Sequence, residues 1–224
     1  MHTRISLMLA TAAGVATLAS SPARAAAQSA FEGVVTFQVN AGPDGQQTMQ
    51  YSVKGDKVRM DISARGMQMF ALFDGATKMM DMVIPMRQMY MERSTEDAQA
   101  MTDSAVAASK IDWTGRKETI AGYECEHATF TDDKGQSTDV CLAKGLGTFV
   151  PISGGPGGRG RGAMSSGWEG RIGQQFPLKV MQGGEVEMLV TNIEKKSLAD
   201  SLFTIPNGYQ KMEMPMGGRR GGGR

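Results

Sequence analysis

The stretch "MQYSVKGDKVRMDI", Met49 to Ile62, constrains this chain more than any other. Apolar and polar residues alternate on both sides of Gly55-Asp56. With those two residues as a two-residue turn, Val53 opposes Val58, Tyr51 opposes Met60 and Met49 opposes Ile62. Every apolar residue then meets an apolar one, while Ser52 faces Arg59 on the wet side. A slip of one residue would turn the whole apolar set into water, so turn chemistry and period-two patterning select one register.

The same grammar recurs at short intervals. "FEGVVTFQVN" puts Phe31, Val35, Phe37 and Val39 on one face, and Gly-Pro-Asp-Gly at 42–45 ends it. "ETIAGYECEHATF" and "QSTDVCLA" read as two more strands, and "FPLKVMQGGEVEMLVTNIEKK" as a hairpin turning at Gly183-Gly184. Residues 94–110 are Ala-rich without a β-branched run. Ser94 or Thr95 can cap them and Glu96 and Asp97 fall in the first turn, which predicts a helix there. The Gly-rich run 153–167 predicts a flexible loop, and 213–224 a disordered Gly/Arg tail. This pattern describes a mainly β fold, one antiparallel sheet with one or two short helices.

"MQMFALFDGATKMMDMVIPMRQMYME" holds eight methionines between Met67 and Glu92. A turn at Asp74-Gly75-Ala76-Thr77 keeps Met67, Met69, Met80 and Met82 on one face and Phe70, Leu72, Met79 and Val83 on the other. Both faces are apolar, whereas an antiparallel strand pair commonly keeps one face wet. This hairpin therefore needs cover on both sides, from a helix, a second sheet or a ligand. Methionine is flexible and polarisable and suits surfaces that accept variable apolar shapes. Two readings of these eight residues stand side by side, a cavity wall and a filled core. A third is soft-metal chemistry, since thioethers select Cu(I) and Met67-x-Met69, Met80-x-Met82, Met89-x-Met91 and the tail all have the spacing that aims sulfurs one way; its best candidate is Met212, Met214 and Met216 in "MEMPM".

Residues 1–25 have the form of a secretory signal peptide: a basic start, an apolar stretch, and Ala23-Arg24-Ala25 before the expected cleavage. No cysteine lies near that site, so a lipoprotein is not expected, and no stretch is long and apolar enough to span a membrane. A periplasmic or secreted product is predicted. Without Arg4 and Arg24 the chain has 22 basic against 23 acidic residues, and five of those arginines lie in Gly-rich segments. That balance excludes a nucleic-acid-binding body. The two cysteines, Cys125 and Cys141, predict a disulfide. If the loop between their strands centres on Asp133, they stand directly opposite each other.

Catalysis has little to stand on. His127 is the only histidine after the leader, and it reads as a surface or cross-strand residue. No nucleophile elbow, HExxH or phosphate-binding loop is present. "TDDKGQSTD" lacks the ligand positions of an EF-hand. A non-enzyme without a cofactor is expected.

The segments "FEGVVTFQV", "YSVKGDKVRMDI", "ALFDGATKMM", "TIAGYECEHATF" and "SLFTIPNGYQKM" resemble the uncharacterised bacterial domain-of-unknown-function family numbered 4412, itself similar in fold to the LolA/LolB-type lipoprotein carriers. The resemblance covers roughly Phe31 to Met212. It implies a single curved antiparallel half-barrel over 31–212, closed by helices, with an apolar interior of the kind that holds acyl chains. It carries over no residue roles. The expected function is to bind an apolar ligand (a lipid, an acyl chain or a hydrophobic partner segment) in the envelope. The alternatives are a periplasmic Cu(I)-binding protein and a structural module with a filled core.

Overall fold

The computed structural model describes residues 31–212 except 41, 43–44, 65, 96–109, 133, 148 and 151–171. Twelve strands run through these residues: β1 (Glu32–Asn40), β2 (Gln46–Lys54), β3 (Lys57–Ala64), β4 (Met67–Asp74), β5 (Met79–Ile84), β6 (Met89–Ser94), β7 (Lys110–Ile120), β8 (Tyr123–Thr131), β9 (Ser137–Lys144), β10 (Gln175–Gln182), β11 (Glu185–Lys195) and the two-residue β12 (Gln210–Lys211). They form one open, curved sheet in the order β12-β6-β5-β4-β3-β2-β1-β11-β10-β9-β8-β7. Two meanders, β1 to β6 and β7 to β11, are joined through the β1–β11 ladder. All pairs are antiparallel except β12 on β6.

The Met49–Ile62 hairpin has the register its pattern dictates: Tyr51 pairs with Met60 and Val53 with Val58 about Gly55-Asp56. Its other face is not wet. Ser52 is buried. The segment after β11 lies over it, where Lys54 Nζ donates to the Leu198 carbonyl at 2.7 Å and Arg59 Nη1 to the Leu202 carbonyl at 3.2 Å. Nothing within the hairpin announces this cover, because it arrives from more than 140 residues away.

"ETIAGYECEHATF" is two strands rather than one. Ala121 and Gly122 both take positive φ, at 49° and 83°, and turn β7 into β8. The two-residue turn is hidden in the sequence because alanine seldom adopts that conformation. Of the helix expected over 94–110, Ser94 belongs to β6 and Lys110 to β7; Thr95 is helical and 96–109 lie outside the described residues. Two short 3-10 turns, Pro85–Arg87 and Asp200–Phe203, lie between β5 and β6 and between β11 and β12. The signal peptide expected over 1–25, the flexible loop expected over 153–167 and the disordered tail expected over 213–224 also lie outside the described residues. No helix among the described residues is long and apolar enough to cross a membrane.

The main core packs on β1–β3 and β7–β11, and the buried run Val140 to Ala143 shows that β9 is covered on both faces. Phe37, Tyr51, Phe149 and Phe176 pack ring to ring there, Tyr51 stacking on Phe149 at 5.8 Å and meeting Phe176 edge-on at 5.5 Å. Such pairs contribute roughly 0.5–1.5 kcal/mol each beyond area burial. Leu146 and Phe149, after β9, and Ile172, before β10, are buried in this cluster, so this part of the interior is occupied by the chain itself. A second cluster of Phe70, Leu72 and Val83 lies on the opposite face under Ile205 and Tyr209.

Candidate functional site

The methionine hairpin turns as expected. Phe70 pairs with Val83, Ala71 with Met82 and Phe73 with Met80, and the Asp74 carboxylate accepts hydrogen bonds from the amides of Ala76 and Thr77 in the loop. Directly paired residues share a face, so Met67, Met69, Met80 and Met82 lie on the core side, while Phe70, Leu72, Met79 and Val83 lie on the outer side. The eight residues singled out from the sequence therefore do not line one site. Phe70, Leu72 and Val83 are buried beneath the C-terminal segment, and Met79 is half-buried opposite Asp74 and Ser94. Arg59 lies over the Phe70 ring at 3.8 Å, a cation–π contact that extends this cover.

On the core side, Met69 is 7% exposed, Met67 is 45% exposed, and Met80 and Met82 are half-buried. β6 adds two residues to the wall beyond those expected from the sequence. Met91 pairs directly with Met82, and Met89 pairs with Ile84, so both join the same face. Their M-x-M spacing, shared with 67–69 and 80–82, is the signal that marks them. The result is one face of three adjacent strands carrying Met67, Met69, Met80, Met82, Met89 and Met91. Among the described residues, none of these six belongs to either packed cluster. Of the soft-metal candidates in the tail, Met212 is half-buried with its amide donating to the Tyr90 carbonyl at 2.8 Å; Met214 and Met216 lie outside the described residues.

A polar constellation occupies the other end of the sheet. His127 is 1% exposed, buried rather than on the surface. Its Nδ1 lies 2.6 Å from Asp139 Oδ1 and 2.7 Å from Arg116 Nη2, and its Nε2 lies 3.1 Å from Glu118 Oε2. Lys179 Nζ donates to both Glu118 oxygens, at 3.2 and 3.3 Å. Burial pushes the Glu118 carboxyl up, but hydrogen bonds from Lys179 and His127 outweigh it and hold the group below its ordinary range. Cys125 and Cys141 are joined beside this cluster. They are not directly opposed: Cys141 pairs with His127 and Cys125 with Ala143. The loop centres one residue later than Asp133, because the Asp132 carboxylate accepts from the amides of both Lys134 and Gln136 and fixes a loop over 132–136. Glu118, His127 and Cys141 offer ligand atoms within 4.8 Å of one another, but the Cys141 sulfur is spent in the disulfide and offers no thiolate.

Open concavities lie on the sheet among the described residues. One of about 340 Å³ is lined by Thr48, Gln50, Asp61, Ser63 and Gln68 with Ile62 and Met69. Another, of about 370 Å³, lies beside Arg116 and Asp139.

Fold and site define an open antiparallel β protein with one methionine-rich face. The chain belongs to the family described as Domain of unknown function (DUF4412), whose model matches residues 31–209. No curated protein matches it. Among solved structures it is similar to an uncharacterized conserved protein from Thermus thermophilus, at 9% identity and a TM-score of 0.50, covering 83% of this chain and 91% of that one. It is also similar to PNGF-II, at 17% identity and a TM-score of 0.49, covering 84% of this chain and 31% of that one. For MucB the values are 13% identity and a TM-score of 0.40, covering 80% of this chain and 58% of that one. At 9% identity the likeness to the Thermus thermophilus protein is one of fold alone. A disulfide between Cys125 and Cys141 fits an oxidising, extracytoplasmic compartment.

Proposed function

We propose that this protein is an exported, non-enzymatic binder that takes an apolar chain, a lipid acyl tail or a greasy partner segment, against the core face of β4, β5 and β6. The observation that carries the reading is the set of six methionines on that face, of which Met80, Met82, Met89 and Met91 are only half-buried. The neighbouring part of the same face, from β3 across to β8, is filled by Tyr51, Phe149, Phe176 and Leu146. Flexible thioether side chains accommodate variable apolar shapes without strain. The non-enzymatic reading is supported by His127, whose two ring nitrogens both face carboxylates.

The test is native mass spectrometry of the full chain purified from a bacterial periplasm, followed by titration with a fluorescent fatty acid. Wild type should carry extra mass of lipid size, lost on denaturation. Met80→Asp and Met82→Asp should weaken fatty-acid binding by at least about tenfold, since each places a charge against an apolar ligand. Undiminished binding by a variant with wild-type circular dichroism would sink the assignment.

A further inference from the structure

The methionines of this hairpin are sorted by face. Ten positions of β4, β5 and β6 lie on the core side, and six are methionine; of the ten facing the other way, only Met79 is. The outer side is apolar too, but it uses Phe70, Leu72, Val83 and Tyr90, residue types that strands favour. Elsewhere in the sheet the core is built of Val35, Phe37, Tyr51, Val53, Val140 and Val180, with methionine at isolated positions such as Met60 and Met188. General apolar character does not require this segregation; it suits the flexible wall proposed above and equally a role for the sulfur atoms themselves.

The register concentrates these sulfurs around one residue. Met82 opposes Met91 directly. It lies diagonal to Met89, the residue two before Met91 on β6, and diagonal to Met69, just beyond the last rung of the β4–β5 ladder. Directly opposed residues have Cβ atoms about 4.5–5.5 Å apart, and diagonal ones about 7–8 Å, within reach of long side chains. Four unbranched thioethers can thus converge from three strands. The pair partner of Met80 is Arg93, so a cation accompanies that end of the row, whereas Met82 is paired with Ala71 and Met91 and Met89 with Ile84.

We propose that Met69, Met82, Met89 and Met91 form a Cu(I) site on the core face of β4–β6. Thioethers are soft, neutral ligands that select Cu(I) over Zn(II) and other harder divalent ions. The site needs no histidine or thiolate, which fits a chain whose His127 and cysteines are engaged elsewhere. It is separate from the tail methionines and uses sulfur rather than apolar area, so it does not depend on the apolar-ligand reading.

Leucine is the discriminating substitution: it conserves volume and apolar character and removes only the sulfur. The full chain would be titrated anaerobically with Cu(I) held reduced by ascorbate, against the chelator bathocuproine disulfonate. Wild type should withdraw one Cu(I) per chain, and Zn(II) should not displace it. Met82→Leu with Met91→Leu should weaken that binding by more than the roughly 10- to 100-fold that loss of a ligand's outer partner costs. Failure of wild type to compete with the chelator overturns the site. So does wild-type affinity in the leucine double variant, which would place the ion elsewhere, and so does displacement by Zn(II). A wild type that binds Cu(I) but no fatty acid would instead sink the apolar-ligand reading and leave this one standing.

Discussion

Tyr51 joins the sheet to the segment that fills it. The ring is fully buried among Phe37, Phe149 and Phe176, and its hydroxyl accepts a hydrogen bond from the Val150 amide at 2.6 Å. Burial pushes the phenol's pKa up, so the group stays neutral across the physiological range. Tyr51→Phe keeps the ring contacts and strands the Val150 N–H, so it should cost about 1–3 kcal/mol in a urea unfolding curve. Asp81 is the opposite case. One carboxylate oxygen is buried with no hydrogen-bond partner, and burial first, then Glu92 on the neighbouring strand, raises its pKa. A carboxyl with a raised folded-state pKa binds its proton more readily in the folded chain. It therefore costs stability above that pKa, and the cost disappears as pH falls below the unfolded value. Asp81→Asn should melt higher than wild type near neutral pH, with the gap closing on acidification through the carboxylate range. A gap independent of pH would show that the charge is not the cause.

At the scale of elements, the β8–β9 hairpin is held by local turn chemistry and by a covalent link. The disulfide spans 16 residues. Closing a loop of that length stabilises by roughly 3 kcal/mol in the chain-entropy view. Cys125→Ala with Cys141→Ala should lower stability by about 2–4 kcal/mol, measured by comparing unfolding of the variant and wild type without reductant. The pairing of the two cysteines was legible from their count and the strand pattern. Their diagonal placement was not, because it depends on the Asp132 carboxylate choosing a five-residue loop over a shorter one.

For the molecule as a whole, the β1–β11 ladder decides whether two meanders become one sheet. Gly33 sits in that ladder opposite Lys195. A Cβ there would lie 2.2 Å from the Glu194 carbonyl oxygen and 2.9 Å from the Phe31 ring. Gly33→Ala should therefore lose about 1–3 kcal/mol or more, and hydrogen exchange in β1 and β11 should rise before that in the β2–β3 hairpin. Equal protection in all four strands would contradict a weakened junction.

What the sequence determined by itself is local. Period-two patterning and Gly-containing turns fix the β2–β3 register, the turn at Gly183-Gly184 and the division of the methionine hairpin into two faces, because a strand and its neighbour share one short loop. Much of the candidate face was legible this way, as Met67, Met69, Met80 and Met82. What covers each face was decided only in three dimensions. Leu198, Ile205 and Tyr209 reach the outer side from far along the chain, and Leu146, Phe149 and Ile172 fill the core side of the central strands. These contacts depend on which distant segments the β1–β11 junction brings together, and no local pattern of turns or alternation encodes that junction.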